Sequence, residues 1–424
     1  MNTIEVKKSM PVIGHYQVTV CGGGPAGFIA AIAAARCGAS VALIERYGFL
    51  GGMATAGMVA PISEFMHEGE LISTGIPYEF VNRIEGGIMC PPRGNFVFHP
   101  EEYKIAAQRM VLEAGVDLYL HAYVTDIRME AGNISHVIFE SKSGTQAIQT
   151  DYVIDATGDG DIAYKAGVPM QNYHTPLQPA TLYFALKNVD TSGFKGYYPG
   201  EKHSSVPAIR ELLSSLCPDA PQMGGPWLFA GMGDGTVVVN MSRTALDWLD
   251  ERAASAAECT LREDVKKLVR LLRTHVPAFK NAELIACAPQ IGIRETRHIR
   301  GCHIFSGEEY LNGTRFHDSI ARCSHPIDIH STTDNSQKIV PIQQPAYIPY
   351  RSIIADGFEN LLIPSRCFSA DREAFAAARV QVSVMGMGQA AGVAAAQCAK
   401  AEATVQHADT EQLRNTLIDW GMKL

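Results

Sequence analysis

The sequence predicts an α/β fold, and three consecutive features near its N-terminus support that prediction. An apolar run at residues 16–21 leads into the glycine-rich turn Gly22–Gly27, and the alanine-rich segment Phe28–Cys37 follows. A second apolar run, Val41–Ile44, ends at Glu45. The order of strand, glycine turn, helix, strand and acid is typical of a nucleotide-binding βαβ unit of the Rossmann type.

The glycines of this turn have different expected roles. Gly22 permits the tight bend after the strand, Gly24 lets the backbone approach a pyrophosphate, and Gly27 lets the helix pack closely on the sheet. The phosphates would lie at the helix N-terminus, and Glu45 would accept hydrogen bonds from the ribose hydroxyls. The alternative is a glycine turn that binds no ligand. The nucleotide contacts predicted in the turn are Gly22, Gly24, Pro25, Ala26 and Gly27.

A second glycine pair, Gly51-Gly52, follows the acid and indicates which dinucleotide is bound. In two-domain flavoproteins this loop runs along the pyrophosphate toward the isoalloxazine ring, whereas an NAD-binding unit does not need it. The sequence therefore indicates FAD, held without a covalent bond because no residue clearly provides an attachment point. The contacts expected from this segment are Glu45, Arg46, Gly51, Gly52, Met53 and Ala54.

Composition limits the class of protein. The chain has 424 residues, 46% hydrophobic and 19% charged, which is typical of a globular enzyme of two or three domains. A net charge of −8 argues against a nucleic-acid partner, and no apolar run is long enough for a membrane span. The N-terminal residues lack the apolar core of a signal peptide. Ten cysteines without a CxxC pair indicate reduced thiols, no metal site and a cytoplasmic location.

Further strands and a helix are predicted between residues 98 and 149. The helix is expected to run from Phe98 to about Ala114, because Pro100 suits its first turn and Gly115 ends it. Strands are expected at Val116–Leu120 and Ala122–Ile127. A hairpin is expected to join Ile134–Ser141 to Thr145–Gln149.

A separate apolar strand is expected from Asp151, and it ends in the acidic turn Ala156–Asp161. Small residues in this turn let the backbone pass close to a cofactor. Asp161 has two equally supported interpretations, as a ligand of the ribityl or phosphate groups or as the cap of the helix that follows. The predicted cofactor contacts here are Ala156, Thr157, Gly158 and Asp161.

The C-terminal part combines a strand with a helix rich in small residues. Leu361–Pro364 is expected to be a buried strand followed by a loop that carries Arg366. The segment from about Phe375 to Ala399 would press a helix end against the flavin, where its N–H groups would stabilise negative charge. The alternative is a helix that packs through small residues without contacting the cofactor. The predicted contacts are Arg366, Gly388, Gln389 and Ala390.

Taken together, these motifs resemble the FAD-dependent oxidoreductases that have a glutathione-reductase-type FAD domain and are related to fumarate-reductase-type flavoproteins. The resemblance spans nearly the whole chain, and Ser365 is a departure because glycine usually precedes the arginine there. Four further segments contribute to it, namely Ile291–Arg297, Pro326–His330, Ile348–Ser352 and Gly386–Gly392.

The resemblance implies a discontinuous, three-layer Rossmann-like FAD domain of residues 12–165 and 345–424. Residues 166–344 would form a second, α+β domain that covers the flavin and binds substrate. The resemblance also places Val124 beside the adenine, although a plain core valine is nearly as well supported by the sequence.

The predicted reaction is hydride transfer between flavin N5 and a small polar or anionic organic substrate. Arg294 and Arg351 would clamp an anionic group, and His330 or Tyr350 would transfer the proton. The alternatives are that Arg294, like Arg297, forms an ion pair at the domain interface and that His330 is a hydrogen-bonded loop residue. The alternative function is an electron-transfer flavoprotein subunit of a larger redox complex. A small-molecule substrate and a possible homodimer are the expected partners.

Overall fold

The computed structural model describes residues 3–5, 7–171, 176–191, 207–229 and 233–424, with Pro207 described by its backbone alone. Its strands are β1 (Val12–Cys21), β2 (Val41–Ile44), β3 (Met66–His67), β4 (Glu70–Leu71), β5 (Ile88–Cys90), β6 (Asn95–Val97), β7 (Asp117–Tyr119), β8 (Tyr123–Glu130), β9 (Asn133–Ser141), β10 (Gly144–Asp155), β11 (Phe184–Lys187), β12 (Met223–Phe229), β13 (Val237–Ser242), β14 (Glu283–Cys287), β15 (Ser319–Cys323), β16 (Ile327–His330), β17 (Gln337–Val340), β18 (Ala346–Pro349) and β19 (Leu361–Leu362). Its α-helices are α1 (Pro25–Arg36), α2 (Ile76–Asn82), α3 (Pro100–Glu113), α4 (Asp161–Ala166), α5 (Pro207–Leu216), α6 (Glu251–His275), α7 (Gly307–Leu311), α8 (Arg372–Ala378), α9 (Gln381–Ala401) and α10 (Thr410–Asp419).

The largest sheet has seven strands and contains the predicted βαβ unit. Its order is β7-β2-β1-β10-β9-β8, and β19 pairs with β10. Strands β1, β2, β7, β10 and β19 pair in parallel, while β9 pairs antiparallel to β8 and β10. The C-terminal strand β19 therefore returns to the sheet that β1 begins. This arrangement confirms the predicted α/β fold.

Strand β10 is one continuous strand where the sequence suggested two. Residues 144–149 pair with β9, and residues 147–155 pair with β1. The polar residues Gln149 and Asp151 do not break the strand, because both are exposed while Thr150 and Tyr152 are buried. This alternation is that of a strand with one covered face.

Helices α1 and α9 pack so closely that the backbone of one contacts the backbone of the other. A Cβ atom added at Gly388 would overlap the carbonyl of Ala26, and one at Gly392 would overlap the carbonyl of Ala30. All four residues are buried. The small residues of α9 therefore allow a close helix–helix contact.

The helical segment predicted at about Phe375–Ala399 is two helices rather than one. Helix α8 ends at Ala378, and α9 begins at Gln381 with Val380 as its N-cap. Val380 has an extended backbone, with φ −68° and ψ 157°, and provides no side-chain cap. The interruption leaves the α9 N-terminus uncapped by its own side chain and places Arg379 beside it.

A second, four-stranded sheet is antiparallel, with the order β12-β13-β11-β14. Helix α6 packs on it and begins at Glu251, because the Asp250 carboxylate accepts hydrogen bonds from the N–H groups of Arg252 and Ala253. Within the described ranges, no helix is both long and apolar enough to cross a bilayer.

Candidate active site

One cavity of about 530 Å³ extends from the large sheet to the four-stranded sheet. Its first part, here called the glycine end, is lined by Gly22, Gly24 and Gly158, which follow the carboxyl ends of β1 and β10. Its second part, the arginine end, is lined by Arg294 and Arg379. Ligands of open α/β sheets bind beyond the carboxyl ends of the strands, which is where the glycine end lies.

The glycine turn has the shape that a pyrophosphate requires. Gly22 has φ +98°, and a Cβ there would lie 2.5 Å from the carbonyl oxygen of Ala156. A Cβ at Gly27 would overlap the carbonyl of Gly22, so Gly27 packs within the turn. A Cβ at Gly24 would meet only the Cα of Gly52, at 3.8 Å. Because no side chain caps α1, the N–H groups at its N-terminus remain available to an anion.

The residues after β2 are only partly arranged as expected. Glu45 lines the cavity, and its carboxylate accepts hydrogen bonds from the N–H groups of Gly23 (2.6 Å) and Tyr47 (2.9 Å). Burial raises the pKa of Glu45. Three further predicted residues of this segment, Arg46, Gly52 and Met53, line the cavity, as do the predicted turn residues Gly24, Pro25 and Ala26.

Gly51 and Ala54 contribute to the local backbone structure and to packing, in contrast to the predicted cofactor contacts. Gly51 has φ +108° and its N–H donates to the carbonyl of Gly23, which joins the two glycine segments. Ala54 is fully buried in a 3-10 turn. In the described chain neither residue lines the cavity.

The acidic turn after β10 lines the cavity through Ala156, Thr157, Gly158 and Asp161. Asp161 does not cap α4, because the carboxylate of Asp155 accepts hydrogen bonds from the Thr157 hydroxyl (2.6 Å) and the Ala163 N–H (2.9 Å). Burial raises the pKa of Asp155 to about 6. Asp161 instead accepts a hydrogen bond from Arg297 at 2.8 Å.

Two further predicted contacts, Val124 and Arg366, also line the cavity. Arg366 donates to the Asp159 carboxylate and lies against Gly158. Ser365, the residue that departs from the expected glycine, lines the cavity as well, and its hydroxyl lies 3.2 Å from the sulfur of Cys367.

Gly388, Gln389 and Ala390 are placed differently from the prediction. They lie inside α9 against α1, and the amide oxygen of Gln389 accepts the Ile76 N–H at 2.9 Å. The part of α9 that lines the cavity is its N-terminus, at Val380, Gln381 and Val384. The expected helix end is therefore at the cavity, but it is formed one to two turns earlier in the sequence.

His330 lies at the arginine end, with both ring nitrogens engaged. Arg243, which is 4% exposed, donates from Nη2 to Nδ1 at 2.9 Å, so the ring proton must be on Nε2. That Nε2–H donates to Asp328 at 3.0 Å. Burial, and next the positive charge of Arg294, lower the pKa of His330 to about 3. The predicted general acid or base is therefore a neutral residue that orients Asp328.

Asp328 is the acidic centre of this end of the cavity. Its carboxylate accepts hydrogen bonds from His330 and from the side-chain amide of Gln337, and its pKa lies far below the usual range. Desolvation opposes this shift, but the hydrogen bond from His330 and the nearby charges, including Arg379, outweigh it. Asp328 is therefore ionised across the physiological range.

The two arginines of the arginine end, Arg294 and Arg379, have lowered pKa values because burial penalises their charge. Arg294 donates from Nη1 to the carbonyl of Pro179 (2.6 Å) and to the hydroxyl of Thr181 (2.9 Å). Arg379, with a pKa of about 10, donates to the carbonyl of Asp328 over a long 3.5 Å, and its buried Nε has no partner among the described residues. The structure therefore places Arg294 at the cavity, as predicted.

Tyr350 and Arg351 do not lie at the cavity, in contrast to the prediction. Tyr350 is 1% exposed and donates its hydroxyl to the carbonyl of Val405 at 3.0 Å. Arg351 forms an ion pair with Asp318 at 2.9 Å on another surface. Their motif follows β18 into a 3-10 turn that directs both side chains away from the cavity.

Two residues that the sequence reasoning missed face the cavity instead. His325 donates from Nδ1 to the carbonyl of Pro326 at 2.7 Å, which leaves Nε2 unprotonated; burial lowers the pKa of His325 to about 4. The hydroxyl of Tyr183 accepts a hydrogen bond from Asn240 at 2.8 Å, and burial raises its pKa to about 12. In the described part of the chain, no group of three or more His, Cys, Asp or Glu residues is positioned to hold a metal ion.

The buried histidines predict a pH-dependent stability. The pKa of His325 is about 6.5 in the unfolded chain and about 4 in the fold, so between these values the unfolded chain binds the extra proton. Stability should therefore fall as the pH drops from 6.5 to 4, by about 1.4 kcal/mol per pH unit for this residue. Asp155, with its raised pKa, acts in the opposite sense.

The contribution of His325 can be isolated by comparing wild type with His325→Gln in urea unfolding at pH 7, 6, 5 and 4. The difference in unfolding free energy between the two proteins should change by about 1.4 kcal/mol per pH unit between pH 6.5 and 4. Parallel pH profiles would show that His325 is not held neutral.

Comparisons with known proteins give a family match over most of the chain. Residues 17–417 match the family described as FAD dependent oxidoreductase. Digeranylgeranylglycerophospholipid reductase 2 of Methanothermobacter thermautotrophicus is 32% identical over 177 residues, which are 39% of this chain and 44% of that protein. The chain therefore spans less than half the length of this curated relative.

Two solved structures share the fold over nearly the whole chain. A geranylgeranyl bacteriochlorophyll reductase-like protein from Thermoplasma acidophilum has a TM-score of 0.54 at 14% identity, covering 97% of this chain and 84% of that one. A flavoprotein/dehydrogenase from Cytophaga hutchinsonii has a TM-score of 0.51 at 14% identity, covering 96% of this chain and 86% of that one. At such identities the likeness concerns the fold alone.

Proposed function

This chain belongs to the FAD dependent oxidoreductase family, and from that premise we propose that it transfers a hydride between FAD and a small organic anion bound at the arginine end. The observation that supports the proposal most directly is the position of Arg294 and Arg379 in the same cavity as the glycine turn. Arginine is well suited to hold a carboxylate through paired hydrogen bonds.

The glycine end fits the dinucleotide part of FAD. The uncapped N-terminus of α1 and the open space at Gly24 would receive the pyrophosphate, and Glu45 lies where the ribose is expected. Arg46 and Val124 line the same end. The N-terminus of α9, at Val380 and Gln381, would lie beside the flavin ring and favour negative charge on it.

Bound FAD supplies a ring that accepts or donates a hydride. The residues of this chain would bind the substrate anion, orient it and handle its proton. Arg294 and Arg379 would hold the anion, and the protonated hydroxyl of Tyr183 would donate a hydrogen bond. His325 has the unprotonated Nε2 that a proton acceptor requires, so we assign it the role first predicted for His330.

The activity named for the curated relative is not the one that this cavity favours. A prenyl chain is uncharged and would leave the ionised groups of Asp328, Arg294 and Arg379 desolvated without compensation. An anionic substrate would replace the lost hydration of the arginines with charge-assisted hydrogen bonds.

We also propose a cytoplasmic location. Several cysteines, including Cys21, Cys323 and Cys367, are buried thiols outside any disulfide. A chain with such buried thiols suits a reducing compartment.

The proposal is tested by anaerobic reduction of the FAD-loaded protein with a panel of hydroxy acids, amino acids and their neutral amides. At least one acid should bleach the flavin, and its amide should not. Arg379→Gln should raise KM for that acid about 10- to 100-fold without loss of FAD, since a lost charged hydrogen bond costs about 1.5–3 kcal/mol.

The matched control is Arg351→Gln, which removes an arginine outside the cavity and should leave the kinetics unchanged. Bleaching by neutral compounds alone, or equal effects of the two substitutions, would contradict the assignment of the arginine end.

A further inference from the structure

The arginine end contains an apolar, aromatic surface beside its charged groups. Trp227 and Phe229 are separated by one residue on β12, so their side chains lie on the same face of the four-stranded sheet. Both line the cavity, and Asn240, which pairs with Trp227 across the strands, lines it too. Ile293 and Ile339 add aliphatic surface to the same space.

At the arginine end, the described lining places one carboxylate against two guanidinium groups. Glu64 and Arg93 form a pair with each other, which leaves the carboxylate of Asp328 against Arg294 and Arg379. Asp328 already accepts hydrogen bonds from His330 and Gln337. A third guanidinium, that of Arg243, lies behind His330 with Nε and Nη1 lacking partners among the described residues.

Hydrogen-bond donors remain for a ligand. The described bonds of Arg294 all involve Nη1, which leaves Nη2 available. The described bond of Arg379 is a long one from Nη2 to a carbonyl, which leaves Nη1 available. Both arginines are partly exposed to the cavity, and the N-terminus of α9 beside Arg379 adds further positive potential. One bound carboxylate would supply the missing negative charge.

We propose that the substrate is an aromatic carboxylic acid, with its carboxylate held by Arg294 and Arg379 and its ring on the sheet face formed by Trp227 and Phe229. This inference rests on the proposed function and narrows its substrate class. A ring on this face gains aromatic contact beyond simple burial, which an aliphatic acid of similar charge lacks. Tyr183, held by Asn240, lies at the edge of the same face and can donate its hydroxyl to a ring substituent.

The test titrates FAD-loaded protein with benzoate, phenylacetate and indole-3-acetate, and follows both the perturbation of the flavin spectrum and the heat of binding. The neutral analogue benzamide separates charge from the ring, and acetate and cyclohexanecarboxylate separate the ring from charge. At least one aromatic acid should bind 10-fold or more tightly than benzamide, acetate and cyclohexanecarboxylate.

Substitutions then assign the two halves of the site. Arg379→Gln should weaken binding of the aromatic acid 10-fold or more and remove its preference over benzamide. Trp227→Leu should weaken it several-fold and remove the preference over cyclohexanecarboxylate. The controls Arg351→Gln and Trp420→Leu lie outside the cavity lining and should bind as wild type does.

The outcomes separate this inference from the function on which it rests. Yellow protein that is reduced and reoxidised reversibly but binds none of the aromatic acids would overturn the inference and leave the oxidoreductase intact. Equal binding of benzoate, benzamide and acetate would overturn it as well. Protein that takes up no FAD would overturn both.

Discussion

Gly24→Val should abolish FAD binding while the protein remains folded. Gly24 has φ −70° and ψ −177°, which valine adopts without strain, and an added Cβ would meet only the Cα of Gly52 at 3.8 Å. The valine methyl groups would occupy the space above the α1 N-terminus, where the pyrophosphate has to approach the backbone. We expect the affinity for FAD to fall at least 100-fold, or by about 2.7 kcal/mol.

The measurement is the ratio of flavin absorbance to protein absorbance after purification and after dialysis against FAD. Circular dichroism and thermal unfolding of the apoprotein should match those of wild-type apoprotein. Gly27→Val is the contrasting variant, because its Cβ would overlap the carbonyl of Gly22 and so disturb the fold itself. A yellow Gly24→Val protein with normal FAD content would refute the placement of the pyrophosphate.

Asp328→Asn should destabilise the fold more than any exposed charge substitution. It removes the carboxylate that accepts hydrogen bonds from His330 and Gln337 and that offsets the charges of Arg294 and Arg379. Breaking a buried ion pair by removing one partner costs about 3–5 kcal/mol. Urea unfolding of the apoprotein at pH 7 should therefore show a large decrease in the transition midpoint.

A second substitution distinguishes charge from packing as the cause. Asp328→Asn combined with Arg379→Met removes one positive charge together with the negative one and should recover part of the lost stability. Glu130→Gln, which disrupts an exposed pair with Arg128, should leave the midpoint unchanged. If the double variant is less stable than Asp328→Asn, charge imbalance is not the cause.

The glycine end could be predicted in detail because its function is performed by the backbone. A sharp turn, a close phosphate approach and a helix N-terminus each restrict the residue type, so Gly22, Gly24 and Gly27 were informative together with the flanking strand, helix and acid. The sequence also identified Gly51 as a required glycine. Its backbone has a positive φ and hydrogen-bonds to Gly23, but the residue is not part of the described cavity lining. The sequence showed the need for glycine there and not its reason.

The arginine end could be predicted only in part, because it depends on side-chain direction. Arg294 and Arg351 both lie in segments that contributed to the family resemblance, yet one faces the cavity and the other forms an ion pair with Asp318. The segment Pro326–His330 could also have predicted that Asp328 lies beside His330, since alternation along a strand places the two residues on the same side. The tautomer of His330 is set by Arg243, which is 87 positions away in the sequence.

The close contact between α1 and α9 has a consequence for how the enzyme can change. Helix α1 begins at the glycine turn, and α9 begins beside Arg379. The contact between the two helices therefore sets the spacing between the glycine end and the arginine end of the cavity. That spacing depends on Gly388 and Gly392 meeting the backbone of Ala26 and Ala30, and it does not involve the side chains of the arginine end. Mutations such as those at Trp227 or Ile339 could therefore redirect specificity during evolution or engineering while the reach from cofactor to substrate is preserved.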